Sequence, residues 1–132
     1  YTIFNSRIRN AIGRNYCLHY SVPLDVEKIQ KASKVLMGKH DFSAFKSKSD
    51  VLSSVRTIMK LEIKKKGKYL TFTIEADGFL YKMVRSIVGT LLEVGKGKMT
   101  ITEFKKIVKS RSRAKAGNTA AANGLCLLKV KY

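Results

Sequence analysis

ADGFLYKMVRSIVGTLLEVGKGK, residues 76–98, is the stretch around which the remaining chain has to be arranged. Its start reads as the end of a strand, followed by a turn at Asp77-Gly78. On a 3.6-residue period Leu80, Met83, Val84, Ile87, Leu91 and Val94 fall on one wide apolar stripe, which predicts an amphipathic helix of about four turns. Arg85 lies just beyond the edge of that stripe, where the helix would leave the core. Gly89, one turn later, lacks a side chain; a mid-helix glycine costs about 1 kcal/mol against alanine, so its use is close packing rather than helix formation.

The segments before this helix alternate with period two. In residues 57–64 Met59, Leu61 and Ile63 share a face; in residues 69–76 Leu70, Phe72, Ile74 and Ala76 do. Lys65-Lys66-Gly67-Lys68 joins the two runs as an antiparallel hairpin. Residues 1–5 (YTIFN) and 16–20 (YCLHY) are two further short strand candidates. Between them, residues 6–15 form a basic irregular loop carrying Arg7, Arg9 and Arg14. Pro23 and Asp25 open a helix, with Asp25 as N-cap, Val26, Ile29, Ala32, Ser33 and Leu36 on one face, and Gly38 ending it. Residues 40–45 (HDFSAF) read as a tight turn that plants two phenylalanines, and residues 46–54 as a polar, basic connection.

After the central helix, Thr100 and Glu103 fit a capping box, with Met99 and Phe104 as its hydrophobic staple. That helix runs to about Ser110 with Phe104, Ile107 and Val108 inward. Residues 111–123 form a basic, alanine-rich connection, and Gly124 releases a last strand over residues 125–132. In that strand Cys126, Leu128, Val130 and Tyr132 share one face, while Leu125, Leu127, Lys129 and Lys131 share the other. A face with two lysines is not a core face, so Leu125 stands on the open side, either as a half-covered leucine at a strand start or as an apolar wall for a planar ligand. The fold class is therefore α+β: an antiparallel sheet with helices packed on one face and an open, basic second face, a surface suited to holding RNA.

The chain has 132 residues with 27 Lys+Arg against 9 Asp+Glu, a net charge of +18. So large an imbalance works against the folded state by self-repulsion, which makes a polyanion the expected partner. The basic segments supply candidate RNA contacts at Arg7, Arg9, Arg14, Lys46, Lys48 and Arg56. Cys17 and Cys126 form no Cys-x-x-Cys or His/Cys cluster, so no zinc or redox motif is present; both are expected to be small buried hydrophobes of a reducing cytoplasm. No apolar run is long enough to span a bilayer, and basic residues scattered over loops and helices do not make a membrane-surface helix. Tyr1 opens directly inside a strand pattern, so the chain is expected to be a piece of something longer.

Candidate chemistry is sparse. The nine acids have ordinary places at caps, helix surfaces or strand edges, and His19 and His40 are isolated. Gly95-Lys96-Gly97-Lys98 ends a helix and so lacks the N-terminal dipole of a phosphate loop. Arg85 differs: its helical neighbours are Tyr81, Lys82, Val88 and Gly89, none of them a carboxylate. Two readings fit it, an arginine at the surface or paired across the fold, and a bidentate group waiting for an acid from elsewhere.

At these residues the chain resembles the C-terminal domain of the TruA family of tRNA pseudouridine synthases. GFLYKMVRSIVGTLLEVGKGK is similar to the family's FLYxMVRxIVGxLxxVGxGK signature. YTIFN, VPLD, GKHDFSAF, SVRTI and RSRAKAGNTAAANGLCLLKVKY agree in order, so the resemblance covers essentially all 132 residues. It implies an RRM/ferredoxin-like domain of a cytoplasmic homodimer that isomerises uridine to pseudouridine, without cofactor or metal, at about positions 38 to 40 of the tRNA anticodon stem-loop, with the target base flipped out. In that family the nucleophile is an aspartate in a GRTDAG-type motif of an N-terminal domain; nothing in this sequence resembles it, so residues 1–132 are expected to be the C-terminal domain alone and inactive by themselves. The resemblance makes Arg85 the arginine that pairs with and orients that aspartate, Leu125 the leucine lining the target uracil, and Tyr1 the second tyrosine of a Tyr-x-Tyr pair at the floor of the site. Asp77 stands where the family more often has asparagine and is not a nucleophile candidate. The reading from another class is a stand-alone basic RNA-binding module without chemistry.

The charge alone yields one expectation. The chain binds RNA with log affinity falling steeply as log salt rises; binding that ignores salt in a filter or anisotropy titration would remove the polyanion reading.

Overall fold

The computed structural model describes residues 1–6, 17–46, 53–110 and 119–126. In chain order the elements are β1 (Thr2–Asn5), β2 (Leu18–Tyr20), α1 (Val26–Ser33), β3 (Gly38–Asp41), β4 (Val55–Lys66), β5 (Tyr69–Ala76), α2 (Met83–Gly95) and α3 (Ile101–Ser110). The strands form one sheet in the order β2-β1-β5-β4-β3. The helices cover one face of it, and the core between them holds Ile3, Ile29, Leu36, Phe42, Phe45, Ile58, Leu70, Phe72 and Phe104.

The β4–β5 hairpin closes at Gly67-Lys68, where Gly67 takes φ +59°, a conformation that a residue without Cβ adopts freely. Leu70 and Phe72 face the core as their alternation predicts. The partner strand departs from strict alternation. Ile58 pairs with Ala76 but Lys60 pairs with Glu75, so Met59 is an extra residue, a β-bulge. The inward set becomes Ile58, Leu61 and Ile63, and Met59, expected inside, is 53 % exposed.

Two other expectations are corrected. The sheet is mixed rather than antiparallel, because β2 lies parallel to β1, with Ile3 beside Leu18 and Asn5 beside Tyr20. The intervening stretch of about a dozen residues is long enough for the crossover that parallel pairing requires. Asn5 Nδ2 fastens this edge by donating to the carbonyls of Tyr20 (2.9 Å) and Val22 (2.7 Å). Residues 40–45 are not only a turn: Gly38–Asp41 pairs with β4 as an edge strand, and a 3-10 turn at Ser43–Phe45 then buries Phe42 and Phe45.

The helices follow their local signals. Asp25 Oδ1 accepts from Lys28 N at 3.2 Å as the N-cap of α1. Gln30 Nε2 donates to Ile63 O at 2.9 Å, holding α1 on the sheet. At α3 the capping box closes both ways, Glu103 N to Thr100 Oγ1 at 3.1 Å and Thr100 N to Glu103 Oε1 at 3.2 Å. Helix α2 starts later than its apolar pattern suggests, because Lys82 at its N-cap has φ +60° and Leu80 enters the core from the preceding turn. Inside α2 burial goes well beyond one stripe: Ser86 to Leu92, Val94 and Gly95 are all buried. Thr90 Oγ1 gives its proton to Ser86 O at 2.8 Å, so the hydroxyl is satisfied within the helix.

The predicted last strand lies outside the described residues from 127 onward. Its first two residues follow a 3-10 turn, Ala122–Gly124, whose end turns Leu125 N back to Ala122 O at 3.0 Å. Leu125 and Cys126 are both exposed there, and of the two cysteines, both expected to be buried, only Cys17 is.

Helices α1 and α2 meet at Gly95, where an added Cβ would stand 2.5 Å from Ile29 Cδ1 and 3.1 Å from Leu24 Cδ2. Gly95→Ala is expected to destabilise the fold by about 1–3 kcal/mol through overpacking. Thr100→Ala, which removes only the cap, should cost about 1 kcal/mol; urea unfolding of both variants checks the pair.

Candidate functional site

Arg85 occupies the first turn of α2, where the helix emerges from the core, and it is half-buried. Its backbone and side chain grip the same residue. Ala120 N donates to Arg85 O at 3.0 Å, and Arg85 Nε donates to Ala120 O at 2.8 Å. One residue either side, Thr119 Oγ1 meets Ser86 Oγ at 3.3 Å and Ala121 O accepts the Tyr1 phenol. The segment 119–121 is thereby strapped across the start of α2 and onto β1.

Gly124 completes the assembly by lying flat on the Tyr1 ring. An added Cβ would stand 2.6 Å from Tyr1 Cε1, 2.7 Å from Cζ and 2.8 Å from Thr2 O. That contact explains a glycine where the sequence suggested only a release into a strand. Tyr1 is 7 % exposed. Burial pushes its phenol up to about 12, with the positive charge of Arg85 pulling the other way. The ring and the guanidinium therefore share one electrostatic environment.

Only Nε of Arg85 is used in this contact. Among the described residues no carboxylate lies within ion-pair distance of Arg85, and no hydrogen bond engages its terminal amino groups. The fork that a carboxylate or phosphate recognises is therefore held at its base and free at its tip. Leu125, immediately after Gly124, is 45 % exposed, an apolar side chain at the end of the same strap.

The remaining sequence candidates are placed less uniformly. Arg56 lies over Gly78, and its Nη1 donates to Ser53 O (3.0 Å) and Val55 O (2.7 Å). Lys46 follows the 3-10 turn of Ser43–Phe45 and is partly buried. Arg7, Arg9, Arg14 and Lys48 lie outside the described residues. Asp77 closes the far end of the hairpin, its carboxylate accepting Thr57 N at 2.8 Å, which fits a structural residue. His19 and His40 each hold a backbone carbonyl, Ser6 O and Met37 O. Among the described residues no group of His, Cys, Asp or Glu is arranged to hold a metal ion. Sequence reasoning missed Phe79 and Tyr81, both exposed in the turn entering α2, with Lys82 Nζ 5.4 Å from the centre of the Tyr81 ring. It also missed the carbonyls of Ala120 and Ala121; the run of small residues at 120–124 was the available signal.

Comparison with known proteins gives a consistent picture. Residues 32–132 match the sequence model of a family described as tRNA pseudouridine synthase. The chain is 49 % identical over 133 aligned positions to the tRNA pseudouridine synthase A of Thermoanaerobacter sp. (strain X514), covering all of this chain and 54 % of that protein. The protein of the same name from Clostridium kluyveri is also 49 % identical, and that of Streptococcus pneumoniae (strain 70585) 42 % identical, with the same coverage. The chain thus spans about half the length of the curated relatives it matches.

The neutral Tyr1 phenol is the form that the fold prefers. Its contribution to stability is intact below the ordinary value of 10 and is lost as pH rises from there toward about 12. In an alkaline titration followed by tyrosinate absorbance, one of the six tyrosines should ionise last, and Tyr1→Phe should abolish that late phase together with its share of the high-pH loss of stability.

Proposed function

Because the chain belongs to the tRNA pseudouridine synthase family, we propose that it is the arginine-bearing C-terminal half of an enzyme that converts uridine to pseudouridine in the anticodon stem-loop of tRNA. The observation that carries this reading is the Arg85 guanidinium, fixed through Nε on Ala120 and unpaired at its tip among the described residues. Such a group is set to receive a carboxylate end-on in a bidentate pair, which orients the acid and keeps it ionised. The resemblance supplies the acid, the nucleophilic aspartate of the other half. Leu125 then provides an apolar wall for the planar uracil, and the buried Tyr1 ring supports the strap that carries it. Resemblance also supports a cytoplasmic homodimer, and the net charge of +18 supports a polyanionic substrate.

The reaction balances without an external oxidant or cofactor. The N1–C1′ bond breaks, a C5–C1′ bond forms, C5 gives up its proton and N1 gains one. What the protein supplies is orientation, charge and exclusion of water around a detached base. Those are the roles that a positioned arginine, a leucine wall and a rigid strap can fill.

The loss of the C5 hydrogen provides the assay. This chain alone should release no tritium from tRNA carrying 5-tritiated uridine; release would overturn the division of labour proposed here. Joined to the remaining portion of the Thermoanaerobacter relative, it should restore release. In that chimera Arg85→Lys should lower kcat by at least about tenfold while tRNA affinity stays within about threefold, since lysine keeps the charge but cannot form the fork. Equal losses in both would refute an orienting role.

A further inference from the structure

The sheet face turned away from the helices carries rings that neither the core nor the Arg85 assembly uses. Phe4 is in register with His19 on β2 and with Tyr69 on β5, and it alternates with the core residue Ile3. His19, Phe4 and Tyr69 therefore form a row across three neighbouring strands on the open face. The Phe4 and Tyr69 centroids are 5.1 Å apart with the rings tilted by 52°; Phe4 and His19 are 6.0 Å apart and tilted by 36°. Rings tilted in this way do not hide their faces in a flat stack on one another. Tyr69 is 39 % exposed, and the Nε2 of His19, 2.7 Å from Ser6 O, pins that end of the row.

Charge is concentrated at the other end. Lys66 stands opposite Tyr69 in the β4–β5 register, on the same face. Lys68 O accepts Asn5 N at 2.7 Å, which brings the hairpin turn against the end of β1. Both lysines are exposed, and among the described residues neither has a carboxylate partner. Lys64, one pair further along, is by contrast engaged by Glu62 at 2.9 Å. Aromatic faces bordered by unneutralised cations suit an anion that also carries planar rings. A second copy of this chain, itself carrying a net charge of +18, is a poorer match for that unneutralised charge than a polyanion is.

We propose that the His19–Phe4–Tyr69 row is a stacking platform for the unpaired bases of single-stranded RNA, with Lys66 and Lys68 meeting the phosphates. Stacking of this kind tolerates sequence, because every base has a π face, and it excludes duplex, whose bases are covered. The platform is independent of the isomerase reading and can fail without it.

The test measures fluorescence anisotropy of the 132-residue chain with a labelled oligouridine and with a labelled RNA duplex of equal length. Tyr69→Leu should weaken oligouridine binding about fivefold or more and leave duplex binding within about twofold, whereas Tyr69→Phe retains the ring and the affinity. Replacing Lys66 and Lys68 by Gln should weaken both ligands and reduce the salt slope. As a measurement that does not depend on the Leu variant folding, oligouridine should quench part of the tyrosine emission of the wild-type chain, and Tyr69→Phe should lose that part. Unchanged oligouridine affinity with no quenching, or equal losses on single strand and duplex, would overturn the proposal. So would a Tyr69 variant whose sole effect is to dissolve self-association, which would assign the face to a protein contact.

Discussion

Helix α2 has almost no residue to give to water. From Ser86 to Gly95 every position except Glu93 is buried, and a helix of that composition is stable only if neighbours surround it. The sheet covers one side. α1 covers another so closely that Gly95 is required at their meeting, with Asp25 N bonded to Gly95 O at 2.8 Å. The strap at 119–121 closes over the first turn. Arg85 is half-exposed because it stands at the place where this enclosure ends, so the position of the candidate site follows from the burial of the helix rather than from any feature of the site itself.

Features with local causes were legible in the sequence. The hairpin, the Asp25 cap, the Thr100–Glu103 box and the inward face of α3 each rest on residues only a few positions apart. The last three are found as read, and the hairpin is found with its turn shortened to Gly67-Lys68, since Lys65 and Lys66 pair with Leu70 and Tyr69. The bulge was not legible because Ile58 and Met59 are adjacent and both apolar, so either could face inward until the pairing with Ala76 and Glu75 decides. Nor was the parallel pairing of β2, whose choice of neighbour depends on how the chain returns. Lys82 gives no warning of its left-handed backbone, since lysine has no turn signature.

At the candidate site the same division holds. Arg85 was visible through what its helix lacked, a carboxylate within one turn. Its actual partner is the carbonyl of Ala120, and backbone carbonyls occur at every position, so sequence gives no cue to which is used. Gly124 was visible as a break, but its purpose depends on a ring far away in the chain. The open face differs from expectation in a similar way: Glu62 answers Lys60 and Lys64 within the sheet, leaving the uncompensated charge gathered at the hairpin turn.

The place of β1 has a consequence for the order in which this structure is assembled. It is an interior strand, between β2 and β5, and its bond from Tyr1 N to Phe72 O joins residues 71 positions apart. The β4–β5 hairpin closes through neighbours, on a scale of about microseconds, but β1 has no antiparallel partner until that hairpin exists, and its short pairing with β2 is too small to stand alone. The strap's bond to Tyr1 spans a still longer separation, 120 positions, while its side-chain bond to Arg85 spans 35. Loop-closure entropy grows with sequence separation, so the bond from the strap to Tyr1 is expected to form after the β4–β5 hairpin that β1 joins.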